Sequence, residues 1–173
     1  MNEIQKSWYA VYTLSRSEKK LAQELSKKGI SNYLPLLSER KRWSDRIQTV
    51  QTPLFASYVF VNVDIRTEKL KVLETSGAHH FLSVSGIPHP IPDDDIENTR
   101  IFVTEYPDKI KIEREEMMLP GKPVLITGGP FKGRRALVER KGNRSSIYVS
   151  ISGIQTRISL ELDHEMLETG EES

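Results

Sequence analysis

A reactive centre in this chain would have to come from four histidines, three consecutive aspartates and one glycine-rich turn. His79 and His80 are adjacent, and neighbours in a strand point to opposite faces, so the pair is not expected to ligate one metal. His89 and His164 have no partners at ligand spacing. Asp93, Asp94 and Asp95 follow "IP" and precede a helical segment. There carboxylates serve the orphan amides and the dipole of a first turn better than they hold a cation. "GGPFKGRR" (128–135) lacks the Lys-Ser/Thr pair and the following helix of a phosphate-binding loop. With no cysteine, disulfides, thiolate nucleophiles and thiolate metal sites are excluded. No catalysis, metal or cofactor is expected.

The residues that stand out instead are suited to binding. "PLFASYVFVNVD" (53–64) reads as one strand apolar on both faces, with Leu54, Ala56, Tyr58 and Phe60 on one and Phe55, Val59 and Val61 on the other. A strand with one solvated face should alternate, so one apolar set here is in excess of what a core needs. "ERKRWSDR" (39–46) places Arg40, Lys41, Arg42 and Arg46 around Trp43, a combination suited to phosphate attraction plus base stacking. The net charge of +1 conceals blocks: residues 14–46 hold nine Lys/Arg against four Asp/Glu, residues 64–108 four against nine, and residues 120–160 eight against one. Such blocks point to polyanion-facing patches.

At 173 residues the chain has room for one large or two small domains. No apolar run nears the roughly 20 residues of a membrane-crossing helix, and the N-terminus has no leader pattern, so a cytoplasmic protein with no membrane role is expected. "SWYAVYTL" reads as a strand, "SRSE" as a capping box with Ser15 as N-cap, and Gly29 as the stop of the helix that follows. "ISNYLPLL" is a second strand, 38–52 an extended loop or hairpin, 53–64 a third strand, 65–77 a helix closed at Gly77, and 78–86 a fourth strand. Residues 91–107 form a further helix ended by Pro107. The segment after it reads as a linker, and from Gly121 onward short strands separated by glycine turns suggest a small β-barrel.

"WYAVYT…EKKLAQEL" with "TPLFASYVFVNVD", and then "GKPVLITGGPFKGRRALVER…IYVSISG", resemble in order the two domains of NusG-type transcription elongation factors. The resemblance implies an α+β protein: an N-terminal NGN α/β sandwich with an antiparallel sheet (1–107), a flexible linker (108–119), an SH3-like KOW β-barrel (120–167) and an acidic tail (168–173). It implies a non-enzymatic factor that docks on the clamp helices of the largest RNA polymerase subunit and suppresses pausing or termination. Tyr12, Phe55, Tyr58 and Phe60 match the docking positions. Specialised members, of the UpxY and RfaH types, act on particular operons such as surface-polysaccharide clusters and touch non-template DNA or nascent RNA. Arg16, Lys20, Lys27, Arg40, Lys41, Arg42, Trp43 and Arg46 are the corresponding candidates here.

The turn Gly128, Gly129, Pro130, Phe131, Lys132 and Gly133 matches the KOW signature, with glycines at positive φ and Phe131 packed on the barrel. Three departures stand out. Ala56-Ser57 replaces Pro-Gly, Ala136 replaces a glycine, and Ser152 replaces an aromatic that meets a ribosomal protein or Rho in general members. The alternative reading is a ribosome-associated RNA-binding protein built on a KOW module.

Overall fold

The computed structural model describes residues 4–114, 123–151, 153–154 and 156–170. Its contacts separate two compact units, Met1–Pro92 and Asp93–Ser173.

In the first unit, β1 (Ser7–Thr13) leads to α1 (Glu18–Lys27), β2 (Ser31–Tyr33), β3 (Leu36–Arg42), β4 (Ile47–Pro53), β5 (Tyr58–Val63), α2 (Ile65–Leu73) and β6 (Ala78–Phe81). Two-residue strands β7 (Ser83–Val84) and β8 (Ile87–Pro88) follow. Between them Ser85 and Gly86 both have positive φ, as a type I′ hairpin turn requires. The main sheet runs β2-β5-β1-β6, with all pairings antiparallel.

Alternation sets what each side of this sheet meets. Tyr9, Val11, Val59, Val61 and Val63 join Leu21 and Leu25 of α1 and Val72 of α2 in a buried cluster. The strands supply β-branched residues, and α1 brings leucines at i and i+4, one face of a helix. Gly29, at φ +72, closes α1 as its spacing implies. Asp64 caps α2 by accepting the Arg66 amide at 3.0 Å.

Several elements begin elsewhere than expected. The expected second strand breaks at Pro35, which has no amide to give a ladder; its carbonyl accepts from the Leu54 amide at 2.9 Å. The third strand starts at Tyr58, so Leu54–Ser57 form a turn rather than an alternating pair of faces. The N-cap of α1 is Ser17, which makes no side-chain cap bond, and not Ser15.

The second unit contains α3 (Asp93–Glu105), a 3-10 turn at Pro107–Lys109, and strands β9 (Ile110–Arg114), β10 (Val124–Leu125), β11 (Arg135–Lys141), β12 (Arg144–Ser150) and β13 (Thr156–Asp163). These form a five-stranded sheet in the order β10-β11-β12-β13-β9. Residues 110–114, expected in the linker, are therefore an edge strand paired with β13 from Ile112↔Ile158 outward. The helix placed in the first domain by sequence has its contacts here: Asn98 donates to the Arg135 carbonyl at 3.0 Å, and Phe102 meets Phe131 edge-on at 5.6 Å. Ser152, residues 115–119 of the expected linker, residues 120–122 of the expected barrel and residues 171–173 of the expected tail lie outside the described residues.

Candidate functional site

The sheet face opposite α1 and α2 carries the candidate docking residues. On β1 and β5 the register pairs Trp8 with Asn62, Ala10 with Phe60 and Tyr12 with Tyr58. Directly opposed residues of an antiparallel pair share a face. The Tyr12 and Tyr58 rings meet edge to face at 5.4 Å and are both partly exposed. Burial pushes the Tyr58 phenol above its usual range, and the Tyr12 phenol adds to the shift. Tyr58 is thus a neutral donor wherever the protein is folded near neutral pH.

Phe55 and Phe60 are placed differently. They are 1% and 0% exposed and pack edge to face at 5.6 Å. Phe55 belongs with Phe60, not with Val59 and Val61, because the turn before β5 reverses its direction.

That turn explains the Ala56-Ser57 departure. The Tyr58 amide donates to the Phe55 carbonyl at 3.2 Å, and Ser57, third in the turn, has φ +66. A left-handed third residue is the requirement of the type II turn class, normally met by glycine. The Ser57 amide donates to Glu18 Oε1 at 2.8 Å, and its carbonyl accepts from Thr13 at 2.8 Å. Glu18 therefore anchors the aromatic turn instead of completing a capping box.

Two histidines border the patch, against the sequence expectation. The β1–β6 register passes from Tyr12↔His80 to Thr13↔Ala78, leaving His79 as the extra residue of a bulge. The bulge breaks the alternation that assigned the imidazoles to opposite faces. Their Nδ1 atoms lie 2.7 Å apart, His80 stacks on Tyr12 at 5.0 Å, and His79 meets Tyr12 edge-on at 6.0 Å. Among the described residues no group of three or more His, Asp or Glu is arranged to hold a metal.

The cationic candidates divide between two elements. Arg16 sits left-handed, φ +54, in the turn before α1; Lys20 and Lys27 lie on α1, with Lys27 held by Glu24 at 2.7 Å. The helix that carries Lys20 and Lys27 packs through Leu21 and Leu25 on the sheet face opposite the tyrosines. Arg40, Lys41, Arg42, Trp43 and Arg46 lie together on the β3–β4 hairpin, exposed from Ser38 to Thr49. Lys41 faces Glu39 at 3.7 Å, whereas Arg40, Arg42 and Arg46 have no carboxylate partner among the described residues.

In the second unit the Gly128–Gly133 turn is built for packing. Gly129 and Gly133 have φ +76 and +82, but Gly128 does not share this conformation. A Cβ at Gly128 would fall 2.7 Å from Oε2 of the exposed Glu168 side chain, which would have to swing aside. Phe131 is buried against Phe102 and stacks on Tyr106 at 6.3 Å, while Pro130 and Lys132 are exposed. Ala136, where a glycine was expected, is buried opposite Val124 and contributes its methyl to the core.

These surfaces belong to a two-unit protein that exposes tyrosines on one face of a sheet and cations on a hairpin. Residues 6–100 match the family described as "Transcription termination factor nusG", and the chain belongs to the NusG family. It is 25% identical over 170 residues to the transcription termination/antitermination protein NusG of Rickettsia typhi, covering 90% of this chain and 86% of that protein. The NusG of Borreliella burgdorferi is 26% identical over 186 residues, covering 93% and 98%. Among solved structures, "Domain interaction in Thermotoga maritima NusG" matches with 20% identity and a TM-score of 0.46, covering 96% of this chain and 98% of that one. The chain is a transcription termination/antitermination factor by family. No described helix is long and apolar enough to cross a membrane.

Proposed function

We propose that this protein binds elongating RNA polymerase and suppresses pausing or termination, with Tyr12 and Tyr58 docking on the clamp helices of the largest subunit. The observation that carries the reading is the partly exposed, edge-to-face tyrosine pair on a rigid sheet, next to apolar residues that are already buried. Tyrosine gives contact area at low entropy cost, and its hydroxyl tolerates water when unbound. Phe55 and Phe60 hold the pair's platform in shape from within. The exposed cations of the hairpin, with Arg16, Lys20 and Lys27 as a second group, serve non-template DNA or nascent RNA. Action on particular operons, as in the UpxY and RfaH types, is the finer reading, supported by Ala136 and Ser152 in the second domain. Ser152 removes the aromatic that meets a ribosomal protein or Rho in general members, and with it the support for either as the partner of this domain.

Transcription in vitro on a long template, with and without a candidate leader sequence, tests the activity: readthrough should rise with the protein present. Co-purification with ribosomal particles and not with polymerase subunits would return the ribosome-associated alternative.

A further inference from the structure

The bulge in β6 brings two more rings to the tyrosine pair. His80, opposite Tyr12 in the ladder, stacks on its ring at 5.0 Å with 28° between the planes. His79, the extra residue, meets the same ring edge-on at 6.0 Å. Both imidazoles are exposed, and their Nδ1 atoms lie 2.7 Å apart. Two ring nitrogens at that distance hold one proton between them, since one must donate and the other accept. A second proton there would set two N–H groups against each other and open the contact.

The surroundings give a charged imidazole no counter-ion. β1 faces the pair with Tyr12, and β5 adds Tyr58, in contact with Tyr12. Val72 of α2 and Phe81 of β6 share the core on the opposite face, so Arg66, Glu68, Lys69 and Lys71 of α2 belong to that side. α1 sends Glu18 to the turn before β5, where its carboxylate holds the Ser57 amide. β7 and β8 carry no charged residue, and His89 follows them. Neither imidazole pairs with a carboxylate among the described residues.

We infer that His79 and His80 belong to the polymerase-docking face and dock as the neutral pair, so that docking weakens as pH falls. The inference rests on the docking role proposed for Tyr12 and Tyr58 and adds a regulation of that site. Imidazole is the side chain that changes charge near neutral pH. A helical partner laid on the tyrosines strips water from the adjoining rings. That costs little for neutral imidazoles and much more for a charged one with no carboxylate beside it. The shared proton also holds His80 flat on Tyr12, which presents the docking ring in one orientation. His80 is thus a positioning residue for Tyr12, and His79 is one for His80.

Two measurements on the full chain test this apart from the docking assignment. The first is equilibrium binding to polymerase core between about pH 8 and about pH 6, with EDTA present so that no metal bridges the imidazoles. The unsubstituted chain is compared with His79→Gln combined with His80→Gln, and circular dichroism checks that both stay folded. Affinity of the unsubstituted chain should fall by about tenfold. The double variant should change much less, because the polymerase's own titration is common to both. The second is imidazole NMR of the free chain over the same range. His79 and His80 should titrate together in two steps, with the Tyr12 ring signals following, and each single variant should leave one simple step. Parallel binding profiles of the two chains overturn the inference and leave docking standing. Independent one-step titrations with unmoving Tyr12 signals overturn the shared proton and the positioning of Tyr12. Binding by neither chain at any pH removes the docking assignment and this inference together.

Discussion

Tyr12 and Tyr58 are direct cross-strand partners whose rings meet edge to face at 5.4 Å, and each keeps part of its surface in solvent. Phe60, two residues along β5 on the same face, has none. The difference separates binding from folding. Tyr58→Ala should weaken polymerase binding by about 1–3 kcal/mol while leaving the urea midpoint nearly unchanged. Phe60→Ala should cost about 3–5 kcal/mol of stability, a buried aromatic truncation. Paired binding and unfolding measurements check this; unaltered binding by a folded Tyr58→Ala variant removes the docking assignment.

Ser57 is held left-handed at φ +66 by the turn itself and by two hydrogen bonds, its amide donating to the Glu18 carboxylate and its carbonyl accepting from the Thr13 amide. A non-glycine residue there costs roughly 1–2 kcal/mol, of which glycine's greater unfolded-state freedom returns a part. Ser57→Gly should therefore stabilise the protein by about 0.5–1 kcal/mol. Glu18→Ala should destabilise it by leaving the Ser57 amide unpaired, whereas Glu18→Gln, whose amide oxygen can still accept from Ser57, should recover most of that loss. Denaturant midpoints of the three variants test the pair of contacts.

Asp95, in the first turn of α3, has its carboxyl pushed up to about 6 by burial, with the Asp94 charge adding to it. Because the folded value lies above the unfolded 3.8, the folded protein binds more protons between pH 4 and 6. Stability from this group is thus highest below pH 4 and falls as pH rises through 6. Asp95→Asn should stabilise on the order of 2 kcal/mol at pH 7 and have little effect near pH 4. Urea unfolding at the two pH values decides it, and a gain equal at both excludes the titration.

Two of the left-handed glycines of the second unit, Gly129 and Gly133, should respond unequally. A Cβ at Gly129 would fall 2.0 Å from the Met166 carbonyl oxygen, which is backbone and unable to rotate away. One at Gly133 meets nothing within 4 Å. Gly129→Ala should unfold the C-terminal sheet, whereas Gly133→Ala should cost only about 1 kcal/mol of φ strain. Amide NMR spectra of the two variants distinguish total from local loss.

Much of this protein was set by local sequence. Alternation in "SWYAVYT" and "YVFVNV" determined which residues meet the helices, Gly29 stopped α1, and the glycine-spaced strands announced the second unit. Those signals depend on the conformational preferences of a few neighbouring residues. Tertiary structure decided the rest, since pairing partners come from distant segments. Alternation placed His79 and His80 on opposite faces, and a bulge against Tyr12 brought their nitrogens to 2.7 Å. "IKIER" read as a charged linker until β13 supplied the ladder that makes it a strand. Ser15 and Glu18 matched a capping box, but the amide that needed Glu18 belonged to Ser57, 39 residues away. The aromatic residues themselves were legible. Which of them stay exposed was not, because burial is a property of what the rest of the chain brings to each ring.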